Sequence, residues 1–600
     1  MTVRRPLARF SRSWLLASVI TSVLISVFCM AMTALALESP KPGVHAGLAN
    51  HQTEFDEPRV FKVSEHVYVA YAYTMCNVIM VVGEDGVLIF DTGFRYEQAK
   101  DALAALRTKS EKPIRAVVYS HGHTDHTGGS RAFVPVDADP PIPVYAQENY
   151  ARYLAEMNGA TKPIFTKRAV AQLGLILPDG ETGTVGSGGG PILQFAGTVG
   201  YAEPTHTISD ELTIDLGGVE VELFHAPGDL DDALGAWIPE DGVLLSGDTV
   251  VGTHTHPILS TPRFEKGRDA RAYVDTLGRM RDFPTKVLVG GHGVPIEGEG
   301  AVADLLERTE MIGQYMIDET LRLTRLDLSG PEIASRIRIP EALSGSLEFA
   351  DYYHRLKWII RGIHAKEMGW YGGDVLELVD HAPREKATRW IEALGGTDAV
   401  LDRAEAAYTA SDPRWAAELA TTVLTVAPDS KRAIEIKANA LRAIAYASDS
   451  ANERNYLLTE ADVMTGEIGW NVVAGAAVNR VKSALFGAEA PEGALAAPSE
   501  AFINNFGPRI DRSRAGSKRL LVSIEVTDRD EMYLLGLREG VVLRERDRGV
   551  VPDVRVAMSH RALVLGTEGL ASWSSLRRGD ELEVLEGEDA FDSFLEVFDW

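Results

Sequence analysis

Apolar positions change their period three times along this chain. Between Val60 and about Gly300, short β-branched runs alternate with amphipathic stretches. Residues 67–71, 78–82 and 87–90 read as successive strands, the last ending at Asp91-Thr92-Gly93. Residues 98–106 predict a helix, and Ala116-Val117-Val118 a further strand. Segments 212–216, 219–224, 243–245 and 286–289 add more strands. Gly183 to Gly190 reads as a glycine-rich loop, and no Gly-x-Gly-x-x-Gly strand–helix unit supports a nucleotide fold. From 305 to 368 the period becomes helical, and from 374 to about 465 an alanine-rich helical array follows. Its breaks fall near Gly395-Gly396, Asp412-Pro413 and Pro428-Asp429, a layout similar to stacked helix pairs. Residues 485–500 read as a linker. Beyond it, strands at 520–526, 532–537 and 541–543 precede amphipathic helical stretches near 558–577 and 588–598.

At 600 residues the chain exceeds a single core and predicts three or four domains. Its N-terminus carries Arg4, Arg5, Arg9 and Arg12, then an apolar run from Trp14 to Ala36 ending Ala34-Leu35-Ala36. That is the layout of an export signal over residues 1–36, so a periplasmic or secreted protein is expected. The same run is long enough to serve instead as an uncleaved anchor. Removing a leader with four arginines and no acid takes the formal charge from −26 to −30. Such acidity argues against a nucleic-acid partner, and no stable membrane partner is expected after cleavage. It also requires local positive charge wherever an anionic substrate binds. Only Cys76 remains after cleavage, which excludes an intrachain disulfide.

That positive charge has a source in the sequence. Directly after the strand at 116–118 the chain reads His121-Gly122-His123-Thr124-Asp125-His126, ahead of Gly128-Gly129. Three imidazoles and a carboxylate this close are costly to bury without a cation, and the set suits zinc or a similar divalent ion. Three further motifs follow predicted strands: Pro227-Gly228-Asp229-Leu230-Asp231-Asp232, Ser246-Gly247-Asp248 and Gly291-His292. Each places an acid or an imidazole just past a strand end.

In this order the motifs resemble those of metallo-β-lactamase-fold hydrolases, in which two metal ions activate a water molecule. The resemblance implies His121, His123 and Asp229 around the first ion, with Asp231 as the alternative acid. It implies Asp125, His126 and His292 around the second, and Asp248 bridging the two. A carboxylate after Pro-Gly is similar to the alkylsulfatase branch. Arg168 to Pro178 and Gly197 to Gly200 look like that branch's inserted loop, and Met368 to Gly373 and Asp412 to Leu419 resemble its dimerisation domain. The implied fold class is α/β: an αββα metallo-β-lactamase sandwich at 37–368, an all-α helical dimerisation domain at 369–490, and a small α+β sterol-carrier-like domain at 491–600.

The implied activity is hydrolysis of a small amphiphilic sulfate ester to alcohol and inorganic sulfate, by a homodimer with two zinc ions per subunit. Asp125, His254 and Arg263 are the candidate catalytic residues, and His254 and Arg263 the candidate sulfate-binding ones. His256 has only its position to recommend it. The branch usually has Glu where Asp248 stands and Asn where Ile258 stands. Those departures leave a hydrolase of another ester or phosphoester as an alternative, and a lipid-binding protein with a structural metal as a third reading. The C-terminal stripes Leu563-Val564-Leu565 and Phe591, Phe594, Leu595 suggest either tail binding or plain core.

Overall fold

The computed structural model describes residues 39–192, 197–251, 256, 260–263, 265–344, 349–469 and 492–600. The predicted leader, His254 and Ile258 lie outside them. The described residues form two compact units: one is built from 381–444 with 39–42, the other from the described residues of 43–380 and 445–600.

The larger unit holds two face-to-face sheets whose central strands are buried on both sides, while the edge strands Arg59–Lys62 and Glu211–Asp215 are largely exposed. The first has seven strands in chain order: β1 (Arg59–Lys62), β2 (Val67–Tyr71), β3 (Val78–Val82), β4 (Val87–Phe90), β5 (Ile114–Val118), β6 (Val144–Gln147) and β7 (His206–Ile208). The second comprises β8 (Glu211–Asp215), β9 (Glu220–His225), β10 (Leu234–Ile238), β11 (Val243–Gly247), β12 (Val287–Gly290) and β13 (Ile296–Glu297), ordered from β13 back to β8. Strand alternation assigns the layers. Ile79, Val81, Leu88, Phe90 and Val118 meet Leu223, Leu245 and Val289 between the sheets. Their neighbours Met80, Ile89 and Val117 face an outer layer that includes Leu106 of the helix Tyr96–Arg107. Phe224, Leu244 and Leu288 face the helices Ala270–Arg281 and Glu299–Thr324 on the other side. Strands buried on both faces can read as continuous hydrophobic runs, which made β2, β3, β4 and β11 visible in the sequence; β10, equally buried but interrupted by Gly235, and β6 were not read.

The C-terminal sheet runs β16-β15-β14-β17-β18, with β14 (Arg519–Val526), β15 (Glu531–Arg538), β16 (Val541–Arg544), β17 (Val554–Met558) and β18 (Leu582–Glu586). Two expectations change here. The stretch read as one helix over 558–577 is two helices, His560–Thr567 and Trp573–Arg578, set between β17 and β18, neither of which the pattern announced. The described part of the expected linker is ordered: Glu492–Leu495 and Ser499–Ile503 are helices, and Ala494, Ala497 and Phe502 are fully buried in the C-terminal core. Small alanines let that chain pack closely, and their low hydropathy hid it. Leu563, Val564, Phe591 and Phe594 belong to the same core, so these stripes are packing rather than a tail-binding wall.

The helices of the smaller unit break where the sequence indicated. Pro383–Ala393 and Thr397–Thr409 are separated by Gly395 and Gly396, both at positive φ. Pro413–Val426 starts behind Asp412, whose side chain accepts the Trp415 amide.

Candidate metal centre

Sheet register assembles the site. β4 and β5 pair in parallel with Phe90 opposite Val118, so Asp91 and Ser120 leave the first sheet side by side. β11 and β12 pair in parallel with Gly247 opposite Gly290, which delivers Asp248 beside His292 from the second sheet. Two glycines are required for the close approach. A Cβ on Gly122 would lie 2.2 Å from the Tyr153 ring, and one on Gly291 would lie 2.0 Å from Asp248 Oδ1.

Seven predicted residues converge in two groups. Ligand atoms of His121, His123, Asp229 and Asp248 lie within 4.8 Å of one another, and so do those of Asp125, His126 and His292. In the first group His123 Nδ1 is 3.0 Å and His121 Nε2 3.6 Å from Asp229 Oδ2. In the second, His126 Nε2 is 3.4 Å and His292 Nε2 3.6 Å from Asp125 Oδ2. Asp248 divides its carboxylate between them, with Oδ2 3.9 Å from His121 Nε2 and Oδ1 3.4 Å from His292 Nε2. Asp231 turns away, pairs with Arg152, and is not part of either group.

The partners on the far side of each ring fix which nitrogen faces the cluster. His126 Nδ1 is 2.7 Å from Asp91 Oδ2, and His292 Nδ1 is 2.9 Å from the Met75 carbonyl, so both rings donate there and present Nε2 inward. Asp91 is held in turn by the Ser120 amide and hydroxyl. His123 is reversed: Nε2 is 2.7 Å from Glu265 Oε1 and Nδ1 faces the cluster.

The residues fit a divalent ion pair. His126 Nε2 and Asp248 Oδ1 are buried with no hydrogen-bond partner, an arrangement that costs free energy unless a cation takes them up. Burial disfavours the charged His126 ring, yet Asp248, Asp91 and Asp125 outweigh it and raise its pKa. His123 is lifted to about 9 against burial by Glu265 and Asp229. His121 moves the other way, depressed by burial and by His126 and His123. Carboxylates that draw protons onto buried imidazoles would draw a metal cation in their place.

The centre opens into a cavity of about 160 Å³. Asp125, Asp229, Asp248, His123 and His292 line it, together with Arg263, Arg268 and Tyr353. The helices Tyr150–Met157 and Lys162–Gln172 and the turn after them supply an apolar wall of Leu154, Met157, Phe165, Ala169, Leu173 and Leu175. Arg263 lies over the Phe165 ring at 5.2 Å. His256 is elsewhere: its Nε2 is 3.0 Å from Asp351 and its ring stacks on Phe349, a packing role. Sequence reasoning gave no role to Asp91, Glu265, Arg268 or Tyr353. Asp91 obeyed the strand-end rule that found Asp248; the other three lie in irregular loops with no periodic signal.

Three family models match the chain: the metallo-β-lactamase superfamily over residues 72–292, alkyl sulfatase dimerisation over 329–467, and the alkyl sulfatase C-terminal domain over 488–600. A linear primary-alkylsulfatase of Pseudomonas sp. (strain ATCC 19151) is 32% identical over 483 residues, 80% of this chain and 90% of that protein. A second linear primary-alkylsulfatase of Pseudomonas sp. is 28% identical over 492 residues, 80% of this chain and 71% of that protein. The solved structure of the stereoselective inverting sec-alkylsulfatase Pisa1 from Pseudomonas sp. superposes with a TM-score of 0.81 at 23% identity, covering 93% of this chain and 87% of that one.

Proposed function

Because this chain belongs to the alkylsulfatase family of metallo-β-lactamase-fold hydrolases, we propose that it hydrolyses alkyl sulfate esters to the alcohol and inorganic sulfate at a binuclear zinc centre. The reading is carried by one observation: a dense His and Asp cluster and two guanidinium groups share a cavity with an extended apolar wall. That combination suits an anionic head on an alkyl tail.

His121, His123 and Asp229 are the proposed ligands of one ion, and Asp125, His126 and His292 those of the other. Asp248 is the proposed bridge, supported by the division of its two oxygens between the groups. Two bound ions would supply Lewis acidity and an activated water near neutral pH. The chain's own groups bind and orient. Arg263 and Arg268 take the sulfate oxygens through the planar donor fork that lysine lacks. Asp125 accepts a hydrogen bond from the attacking water. The apolar wall buries the tail and excludes bulk water from the head. His254, outside the described residues, remains a proposed sulfate-binding side chain. Water adds across the ester, and its two hydrogens are divided between the products, the alcohol and hydrogen sulfate.

The matched dimerisation domain supports a homodimer, and the basic-apolar leader supports export to the periplasm or beyond. The test is sulfate release from dodecyl sulfate and from a secondary alkyl sulfate by zinc-loaded protein, with His121→Ala as control. Release by the parent alone supports the reading. Activity confined to aryl or carboxylic esters would overturn the sulfatase assignment and keep the hydrolase.

A further inference from the structure

A carboxylate outside the expected ligand set occupies the hub of the cavity wall. Glu265 is 6% exposed, and its two oxygens serve different partners. Oε1 lies 2.7 Å from His123 Nε2, while Oε2 lies 2.5 Å from Arg268 Nη2 and 3.2 Å from Arg263 Nη2. Arg268 Nη2 continues to Asp229 Oδ1 at 3.0 Å, and Asp229 Oδ2 returns to His123 Nδ1 at 3.0 Å. A closed ring results: His123, Glu265, Arg268, Asp229, His123.

The proton count on His123 decides what Glu265 does. A neutral imidazole that offers Nδ1 to a metal ion must carry its proton on Nε2, and that N–H needs an acceptor. Arg263 Nη2, 3.3 Å from the same nitrogen, is itself a donor and cannot serve. Glu265 is the acceptor for both. The same carboxylate therefore sets the ring that faces the metal centre and the guanidinium groups that face the substrate's anionic head.

We propose that Glu265 is a positioning residue that fixes His123 for coordination through Nδ1 and couples the anion-binding arginines to the first metal site. The proposal rests on the ligand assignment made above. It gives the coupling a sign. An oxyanion that shares the charge of Arg263 and Arg268 leaves Glu265 freer to accept the His123 proton, so anion and metal ion strengthen each other's binding.

The experiment is zinc titration of the metal-free protein against a competing chelator, with and without inorganic sulfate, resolving the two sites. In Glu265→Gln one affinity falls by about 10- to 100-fold, the typical cost of losing a partner behind a metal-bound histidine. The other affinity stays within about twofold, and sulfate tightens the affected site less than in the parent. Glu265→Asp keeps the charge but is too short to reach His123; it should show the same one-site loss, and it carries the test if the Gln variant does not fold. Two affinities unchanged, or two lowered together with the melting temperature, would overturn the proposal, because a purely structural residue does not select one site. A parent protein that takes up no divalent ion would instead remove the ligand assignment itself.

Discussion

Arg268 Nη2 lies 3.0 Å from Asp229 Oδ1, an ion pair whose side chains are 11% and 1% exposed. Arg268 also reaches Asp229 Oδ2 at 3.4 Å, the oxygen that faces His123 and His121. Without a bound cation, Arg268 is a main counter-charge for both Asp229 and Glu265. Breaking a buried pair by removing one partner costs about 3–5 kcal/mol, because it strands the other charge. Arg268→Gln should therefore lower the unfolding free energy by that order in metal-free protein. In zinc-loaded protein the deficit should shrink, since bound cations compensate the same carboxylates. Urea unfolding with and without chelator measures both, and an equal deficit in the two states would show that Arg268 does not share its role with a cation.

Asp91 offers a cleaner probe of the second site. Its carboxylate takes the His126 Nδ1 proton at 2.7 Å and the Ser120 amide at 2.7 Å. It also sits at φ 61°, a conformation Asn tolerates better than most residues. Asp91→Asn should keep the backbone while weakening His126 as a ligand. The expected result is about a 10- to 100-fold loss of metal affinity, read as metal content after dialysis and as a matching fall in kcat.

Much of the legible fold had strands apolar on both faces or a glycine or proline at the break, although the exposed β8 and β16 were also read and the fully buried β10 was not. β2, β3, β4 and the glycine break at 395–396 follow from such signals. Short strands such as β18, with burial on one face only, gave no such run. The same division holds at the centre. The His-x-His-x-Asp-His segment is local and was visible; Asp229, Asp248 and His292 were visible as acids or imidazoles past strand ends. Glu265 and Arg268 act through contacts set by tertiary packing of a loop, which no window of sequence encodes. The choice of Asp229 over Asp231 is of the same kind, decided by which side chain a turn points inward.

The cavity wall predicts how tail length is read. Ala169 faces it from the helix Lys162–Gln172, whereas among the described residues Gly493 lines it from the C-terminal region. A larger side chain at 169 displaces tail without touching the polar groups. If Ala169→Phe excludes three methylenes, the loss is about 2.4 kcal/mol at ~0.8 kcal/mol each, roughly fiftyfold in kcat/KM. That loss should appear with dodecyl sulfate and vanish with a short alkyl sulfate. Equal losses for both would mean the tail lies elsewhere.

The segment after the helix Leu356–Met368 predicts the subunit contact. Met368, Trp370, Val375, Leu376, Leu378 and Val379 are each more than half exposed, within twelve residues that the dimerisation model covers. An apolar surface of that extent is unusual on a monomer and marks an interaction site. Burying a tryptophan and several aliphatic side chains contributes about 1.5–3 kcal/mol each, before the entropy of association. Charges placed there must be desolvated on contact, whereas in an isolated subunit they remain hydrated and cost little. The double variant Trp370→Glu, Leu376→Glu should therefore sediment as a monomer at micromolar concentration with its thermal unfolding little changed relative to the dissociated parent. A variant that stays dimeric would move the interface to another part of residues 329–467.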